Sequence, residues 1–203
     1  MLLELLQLAD SALPVGSAAH SFGLETMVEE GFVTPENLEW FLHSYFDEAG
    51  LLEAVFVRRA WRGEDTVELT NEFSARRPSR EAREASLKIG RRFAELFNAL
   101  SGSNVNLHLH YPVAFGAAGA AMQIPEESMV LAYLQQSATG LISACQRLTP
   151  VGQIAASRTI WNLRETIARV AKRSEDLEVT CFTPLLELGS MRHRMLETRL
   201  FIS

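Results

Sequence analysis

Cysteine is scarce in this 203-residue sequence: Cys145 and Cys181 are the only two, and they form no CxxC pair. Neither a disulfide framework nor a thiolate metal site is suggested, and two reduced, packed thiols are the simplest expectation. Long apolar runs are missing too. The longest weakly polar stretch, Tyr111 to Ile124, is 14 residues with Pro112 and Pro125 at its ends, whereas about 20 are needed to cross a bilayer. Met1 runs into Leu2, Leu3, Glu4, Leu5 and Leu6 with no basic segment, so no signal peptide is expected and the cytoplasm is the expected compartment. Positive charge is in deficit, with a net charge of -6, which argues against a nucleic-acid or anionic-membrane surface.

Catalytic motifs are also absent. There is no GxxxxGK[ST] phosphate loop, no GxGxxG, no HExxH and no GxSxG, so hydrolysis of GTP by the chain itself, metalloprotease chemistry and serine-hydrolase chemistry have no anchor. The chain is not expected to be an enzyme.

What is present is helical periodicity. Apolar residues make up 47% of the chain and charged residues 22%, enough for one buried core, and apolar positions recur at helical spacing without sustained alternation. The spacing predicts an all-α, single-domain bundle of about eight to ten helices, with a helical body over 1–188 and a tail, 189–203, of the kind that orders on a partner. A short helix from Leu2 ends near Asp10, and Pro14 and Gly16 force a loop. A second helix stops at Gly31. Thr34-Pro35 reads as a helix start, with Leu38, Phe41, Leu42, Tyr45 and Phe46 as its apolar stripe. Gly50 and Gly63 bracket a further helix, Asp65 to Phe73 is a short one, and Arg76-Arg77-Pro78-Ser79 reads as a hinge or exposed loop. Beyond Ser79, Ile89, Phe93, Leu96 and Leu100 define a long helix with Arg80, Arg83, Lys88, Arg91 and Arg92 on its other face. A central Ala/Gly-rich helix is expected over Tyr111–Met122. Two long helices are expected over Glu126–Leu148 and Val151–Lys172, then a polar loop over Ser174–Thr183 and a short helix from Pro184 to Leu188.

Few side chains suggest chemistry. His108 and His110 stand two apart, but a transition metal needs at least a third ligand and none is near in sequence. They are candidate metal ligands or structural histidines. His43 and Asp47 share a helix face, and His20 follows the Pro-Gly turn, where it caps a helix or meets a partner. Arg147 and Arg158 lie toward the facing ends of two helices. Each is a structural arginine or one aimed at a partner's phosphate.

Six stretches in order carry a resemblance. They are Leu5-Leu6-Gln7-Leu8-Ala9-Asp10-Ser11-Ala12-Leu13-Pro14-Val15-Gly16 with Phe22-Gly23-Leu24-Glu25; Arg80-Glu81-Ala82-Arg83-Glu84; His110-Tyr111-Pro112-Val113-Ala114-Phe115-Gly116; Gln146-Arg147-Leu148-Thr149-Pro150-Val151-Gly152-Gln153; Phe182-Thr183-Pro184-Leu185-Leu186; and Ser190-Met191-Arg192-His193 with Thr198-Arg199-Leu200-Phe201. Together they resemble the UreF family of urease accessory proteins. The resemblance implies an α-helical homodimer without a cofactor of its own. Such a protein bridges a UreD-type protein (UreH in some organisms) and the GTPase UreG, acts on apo-urease during nickel-dependent maturation, and bears on GTP hydrolysis by UreG. Nickel and GTP would belong to the partners. Carried over by residue, Met191, Arg192, His193, Thr198, Arg199, Leu200 and Phe201 are the expected UreD/UreH-docking residues, and Pro14, Gly16, Arg147, Gly152 and Gln153 the expected UreG-facing ones. The competing expectation is a nickel carrier or metal-dependent enzyme centred on His108 and His110.

Overall fold

In a computed structural model, which describes residues 1–176 and 181–202, the described residues form α-helices and short 3-10 and π turns and no strand. The helices are α1 (Leu2–Leu8), α2 (Leu24–Glu29), α3 (Leu38–Tyr45), α4 (Leu51–Trp61), α5 (Thr66–Arg76), α6 (Arg80–Ser101), α7 (Tyr111–Ala121), α8 (Glu126–Leu148), α9 (Gln153–Arg173) and α10 (Pro184–Arg192). The all-α fold expected from the periodicity is the fold observed. Residues 177–180, within the expected polar loop, and Ser203 lie outside the described residues.

The core is built on α4 and α7. Phe56 and Phe115 on them are fully buried. The helices touch because α7 offers glycine: a Cβ at Gly116 would stand 2.2 Å from the Val57 carbonyl oxygen. The same device brings α6 onto the segment before α7, where a Cβ at Gly90 would stand 2.2 Å from the Leu109 carbonyl. Phe93, Tyr111, Phe115 and Tyr133 then close an aromatic cluster with ring centroids 5.3 to 6.0 Å apart, within the range of favourable edge and offset contacts.

Several local expectations are corrected. Thr34-Pro35 does not open α3: residues 35–37 form a turn in which Asn37 Oδ1 accepts from the Thr34 N–H, and the helix starts at Leu38. Gly50 does not interrupt the chain, because Phe46–Gly50 is a π turn that carries α3 into α4. The inward stripe of α6 is Ile89, Phe93 and Phe97, with Leu100 exposed. Arg76 to Ser79 is not an exposed loop, since Arg77 and Ser79 are buried. Ser79 caps α6 by accepting from the Ala82 N–H, and its own N–H donates to Glu187. α10 runs past Leu188 to Arg192, because Gly189 lets it lie against Gly23, whose carbonyl oxygen is 2.9 Å from a Cβ placed there.

Candidate functional site

The first eight residues of the loop after α1 are fixed by Leu13 and Val15, which are buried, and by Asp10 Oδ1, which accepts from the Ala12 N–H. Gly16 has a φ of 82° and Gly23 one of 89°, the left-handed region in which glycine escapes the Cβ penalty. That geometry carries the chain back over α6, where the Arg92 guanidinium lies against Gly16. It ends in α2, which presents Glu25 to the interior.

Glu25 is the centre of the C-terminal seat. Its carboxylate accepts from the Leu200 N–H at 2.6 Å and the Phe201 N–H at 3.3 Å, and pairs with His193 Nε2 at 2.6 Å. Thr26 Oγ1 donates to the Gly189 carbonyl at 2.8 Å, Arg192 pairs with Glu30 at 2.7 Å, and the Ile202 N–H donates to the Ala19 carbonyl at 2.8 Å. Residues separated by more than 160 positions therefore meet. The Phe22-Gly23-Leu24-Glu25 stretch is the platform on which the two C-terminal stretches rest.

The expected UreD/UreH-docking residues divide on this platform. His193 and Phe201 face inward and are buried, Arg192 is exposed but paired, Met191 is half-buried, and Thr198, Arg199 and Leu200 are exposed. In the single chain the tail is already packed on the body, because Glu25 satisfies its backbone N–H groups. Of the expected UreG-facing residues, Pro14 is exposed, Gly16 lies on Arg92, and Arg147 stacks on the Phe201 ring with its guanidinium carbon 4.3 Å from the centroid. Gly152 and Gln153 are exposed at the start of α9, where Gln146 Nε2 donates to the Val151 carbonyl. The two sets meet at Arg147 and Phe201.

Below this face is a cavity of about 270 Å³, lined near its mouth by Ser17, His20 and Arg147 and deeper in by Tyr45, Glu53 and Gln136. Tyr133 donates to Glu53 at 3.2 Å and Tyr111 to Gln136 Oε1 at 2.9 Å. Arg77 sits behind Glu53, with Nη1 3.6 Å from Glu53 Oε1 and Nε 3.0 Å from Glu187 Oε1, close contacts that lack hydrogen-bond alignment. Burial pushes the Glu53 carboxyl above its ordinary range, against the pull of Arg77. Burial opposes the charge on Arg77 too, but Glu53 and Glu187 together hold it protonated, above its ordinary value. Arg77 thereby joins α4, the start of α6 and α10 through one buried charge.

The candidate metal pair is not brought together as a site. His110 is fully buried, its Nε2 2.7 Å from Ser74 Oγ and its ring 4.8 Å from that of Phe73, while His108 is exposed. Burial, with Arg77 and Arg83 nearby, pushes the His110 imidazole down to about 3. Among the described residues no group of three or more His, Cys, Asp or Glu is placed to hold a metal. His43 bonds Thr166 Oγ1 at 2.7 Å and Asp47 pairs with Arg169 and Arg173, so both tie α3 and its π turn to α9. Arg158 is exposed on α9. Burial pushes the Cys145 thiol up to about 12, which makes it a packed, unreactive thiol.

Sequence reasoning missed Glu25, Glu53, Arg77 and Glu187. Glu25 stood inside a quoted stretch, but nothing in its spacing pointed to partners in the tail. Arg77 was hidden in an apparent loop.

A family model described as UreF matches residues 33–164. A protein of Nostoc sp. named urease accessory protein UreF is 34% identical over 218 residues, covering 99% of this chain and 95% of its own. Proteins of the same name from Paenarthrobacter aurescens and Azoarcus sp. are 32% and 34% identical, covering 99% and 100% of this chain and 97% and 95% of their own. With a helical body, a C-terminal segment seated on Glu25, and likeness along nearly its whole length, the chain belongs to the UreF family of urease accessory proteins.

Proposed function

We propose that the chain is a non-catalytic scaffold in urease maturation, which links a UreD/UreH-type protein to the GTPase UreG on apo-urease and bears on GTP hydrolysis by UreG. The observation that carries this reading is that the two sets of residues meet, Arg147 stacking on Phe201 of the tail, whose Ile202 N–H donates to the Ala19 carbonyl just beyond the Pro14–Gly16 loop. One set offers exposed Thr198, Arg199 and Leu200, and the other offers Pro14, Arg147, Gly152 and Gln153. Side chains of this kind suit docking: an apolar residue beside arginines gives both a desolvated contact and directed hydrogen bonds. In this reading the protein works in the cytoplasm as a homodimer, and nickel and GTP are handled by its partners. Among the described residues no helix is long and apolar enough to cross a membrane.

The test is reconstitution. Apo-urease, nickel, bicarbonate, GTP and the UreD/UreH-type and UreG-type proteins are combined with and without this chain. Urease activity that appears only when the chain is present, together with an isolated chain that hydrolyses no GTP, is the expected result. Equal activation without it would refute the scaffold role.

A further inference from the structure

Two features of this face lack a counterpart. The first is charge. On α6, Arg80 pairs with Glu84 at 2.7 Å, Arg91 with Glu95 at 2.9 Å, and Arg83 donates to the Arg77 and Pro78 carbonyls. Lys88 and Arg92 are four residues apart, exposed, and without a hydrogen bond or ion pair among the described residues. Glu84, the carboxylate whose pKa Lys88 also lowers, is already held by Arg80. Burial first, and then Lys88, Arg92 and His193, lower the pKa of His20 at the cavity mouth. Arg92 lies against Gly16, next to the cavity-lining Ser17, and Lys88 is one turn before it on α6, so a cationic rim stands unneutralised beside the cavity on a chain with net charge -6.

The second feature is the hole behind the rim. Phe22, Tyr45, Tyr111 and Tyr133 line the cavity of about 270 Å³. That is slightly below the usual range for small-molecule pockets, which suits one aromatic ring better than a nucleotide. Gln136 lines it as well. Its Oε1 is used by Tyr111, but its Nε2 is buried without a partner, and an orphaned amide donor calls for an acceptor.

We propose that the rim and cavity recognise an acidic protein segment carrying one tyrosine, whose ring enters the cavity, whose phenol oxygen accepts from Gln136 Nε2, and whose flanking carboxylates meet Lys88 and Arg92. Buried aromatic anchors with charged flanks are an efficient way to combine affinity with register. A nucleic acid would bring its whole polyanionic backbone against an acidic protein, whereas a short segment brings only the charges that the rim can match. The inference rests on the proposed UreG-facing role only for the identity of the partner, and not for the chemistry recognised.

The probe is a capped pentapeptide with a central tyrosine and acidic residues on both sides, titrated into the full chain by calorimetry at low and moderate salt. The expected result is one-to-one binding that weakens with salt. Affinity should fall about tenfold or more in the Lys88→Glu/Arg92→Glu variant, whose two positions are exposed and whose fold circular dichroism verifies. Replacing the peptide's tyrosine by phenylalanine should cost several-fold with the native chain and little with Gln136→Leu. No binding to the native chain, equal binding to the charge-reversed variant, or equal competition by an oligodeoxynucleotide of the same charge would overturn the proposal. The same charge reversal is then tried against the cognate UreG-type protein. If the peptide result holds while UreG binding is unchanged, the site stands and its assignment to UreG fails.

Discussion

α7 and α10 are both short helices that lie close to a neighbour through glycine, yet they are held by opposite means. α7 is buried from Pro112 to Gly116 and at Ala118 and Gly119, and Gly116 brings it against the α4 backbone. α10 meets α2 through Gly189, but what fastens it is polar: Glu187 to Arg77 and the Ser79 N–H, Thr26 to the Gly189 carbonyl, and Arg192 to Glu30. Its Leu185 and Leu188 point outward, each about half exposed at 52% and 51%. Apolar burial is non-directional and tolerates changes of pH and salt. A polar fastening depends on each partner being present and correctly charged. The body of the protein is therefore fixed by packing, and the face that bears the proposed docking residues is fixed by a small number of replaceable contacts.

The largest effect should come where the two modes meet. Arg77→Met leaves Glu187 and part of Glu53 buried without their cation, and removing one member of a buried pair costs about 3–5 kcal/mol. Urea denaturation should show that loss, and hydrogen exchange should show α10 opening before α4. If α10 and α4 open together, the distinction between them is wrong. Within the packed region, Gly116→Val drives a side chain into the Val57 carbonyl and should cost about 1–3 kcal/mol, felt across the whole cooperative unit. In the polar region, Glu25→Gln weakens the hold on His193 and on the Leu200 and Phe201 N–H groups. It should cost about 1–3 kcal/mol and accelerate exchange of those two amides while leaving α7 amides protected.

Acid should sharpen the contrast. The His110 imidazole titrates near 6.5 when unfolded and is held down to about 3 in the fold by burial. The unfolded chain thus binds a proton that the folded chain refuses between those values. This contribution to stability is present in full above about pH 6.5 and is lost as pH falls toward 3. A plot of unfolding free energy against pH should be shallower over that window for His110→Gln than for the native chain. The smallest effect is expected at the exposed Arg80 and Glu84 pair, where Arg80→Ala should leave the urea midpoint almost unchanged.

The packed region was the more legible in sequence. A run of small and apolar residues between two prolines can only be a buried helix, and α7 is where that run placed it. Periods also gave α8 and α9 nearly whole, since their apolar stripes repeat over many turns. Polar fastenings have no period. Arg77 looked like part of a loop because Pro78 follows it, and the carboxylates that draw it inward lie 24 residues before it and 110 after it. The π turn at Phe46–Gly50 was hidden because Gly50 suggests a break, whereas here its missing side chain makes room for Phe46, whose ring carbon a Cβ would meet at 2.6 Å. The candidate residues of the tail were found by resemblance to a family. Their division into inward His193 and Phe201 and outward Arg199 and Leu200 required the position of Glu25.

The measurement closest to the central claim is complex formation with the cognate UreD/UreH-type protein, read by size-exclusion chromatography with light scattering for the native chain and an Arg199→Glu/Leu200→Glu variant. Both positions are exposed, so the variant should fold as the native chain does. The account predicts a stable complex with the native chain and none, or one much weakened, with the variant. Equal complexes from both would contradict it and move the docking surface off the tail and onto the helical body.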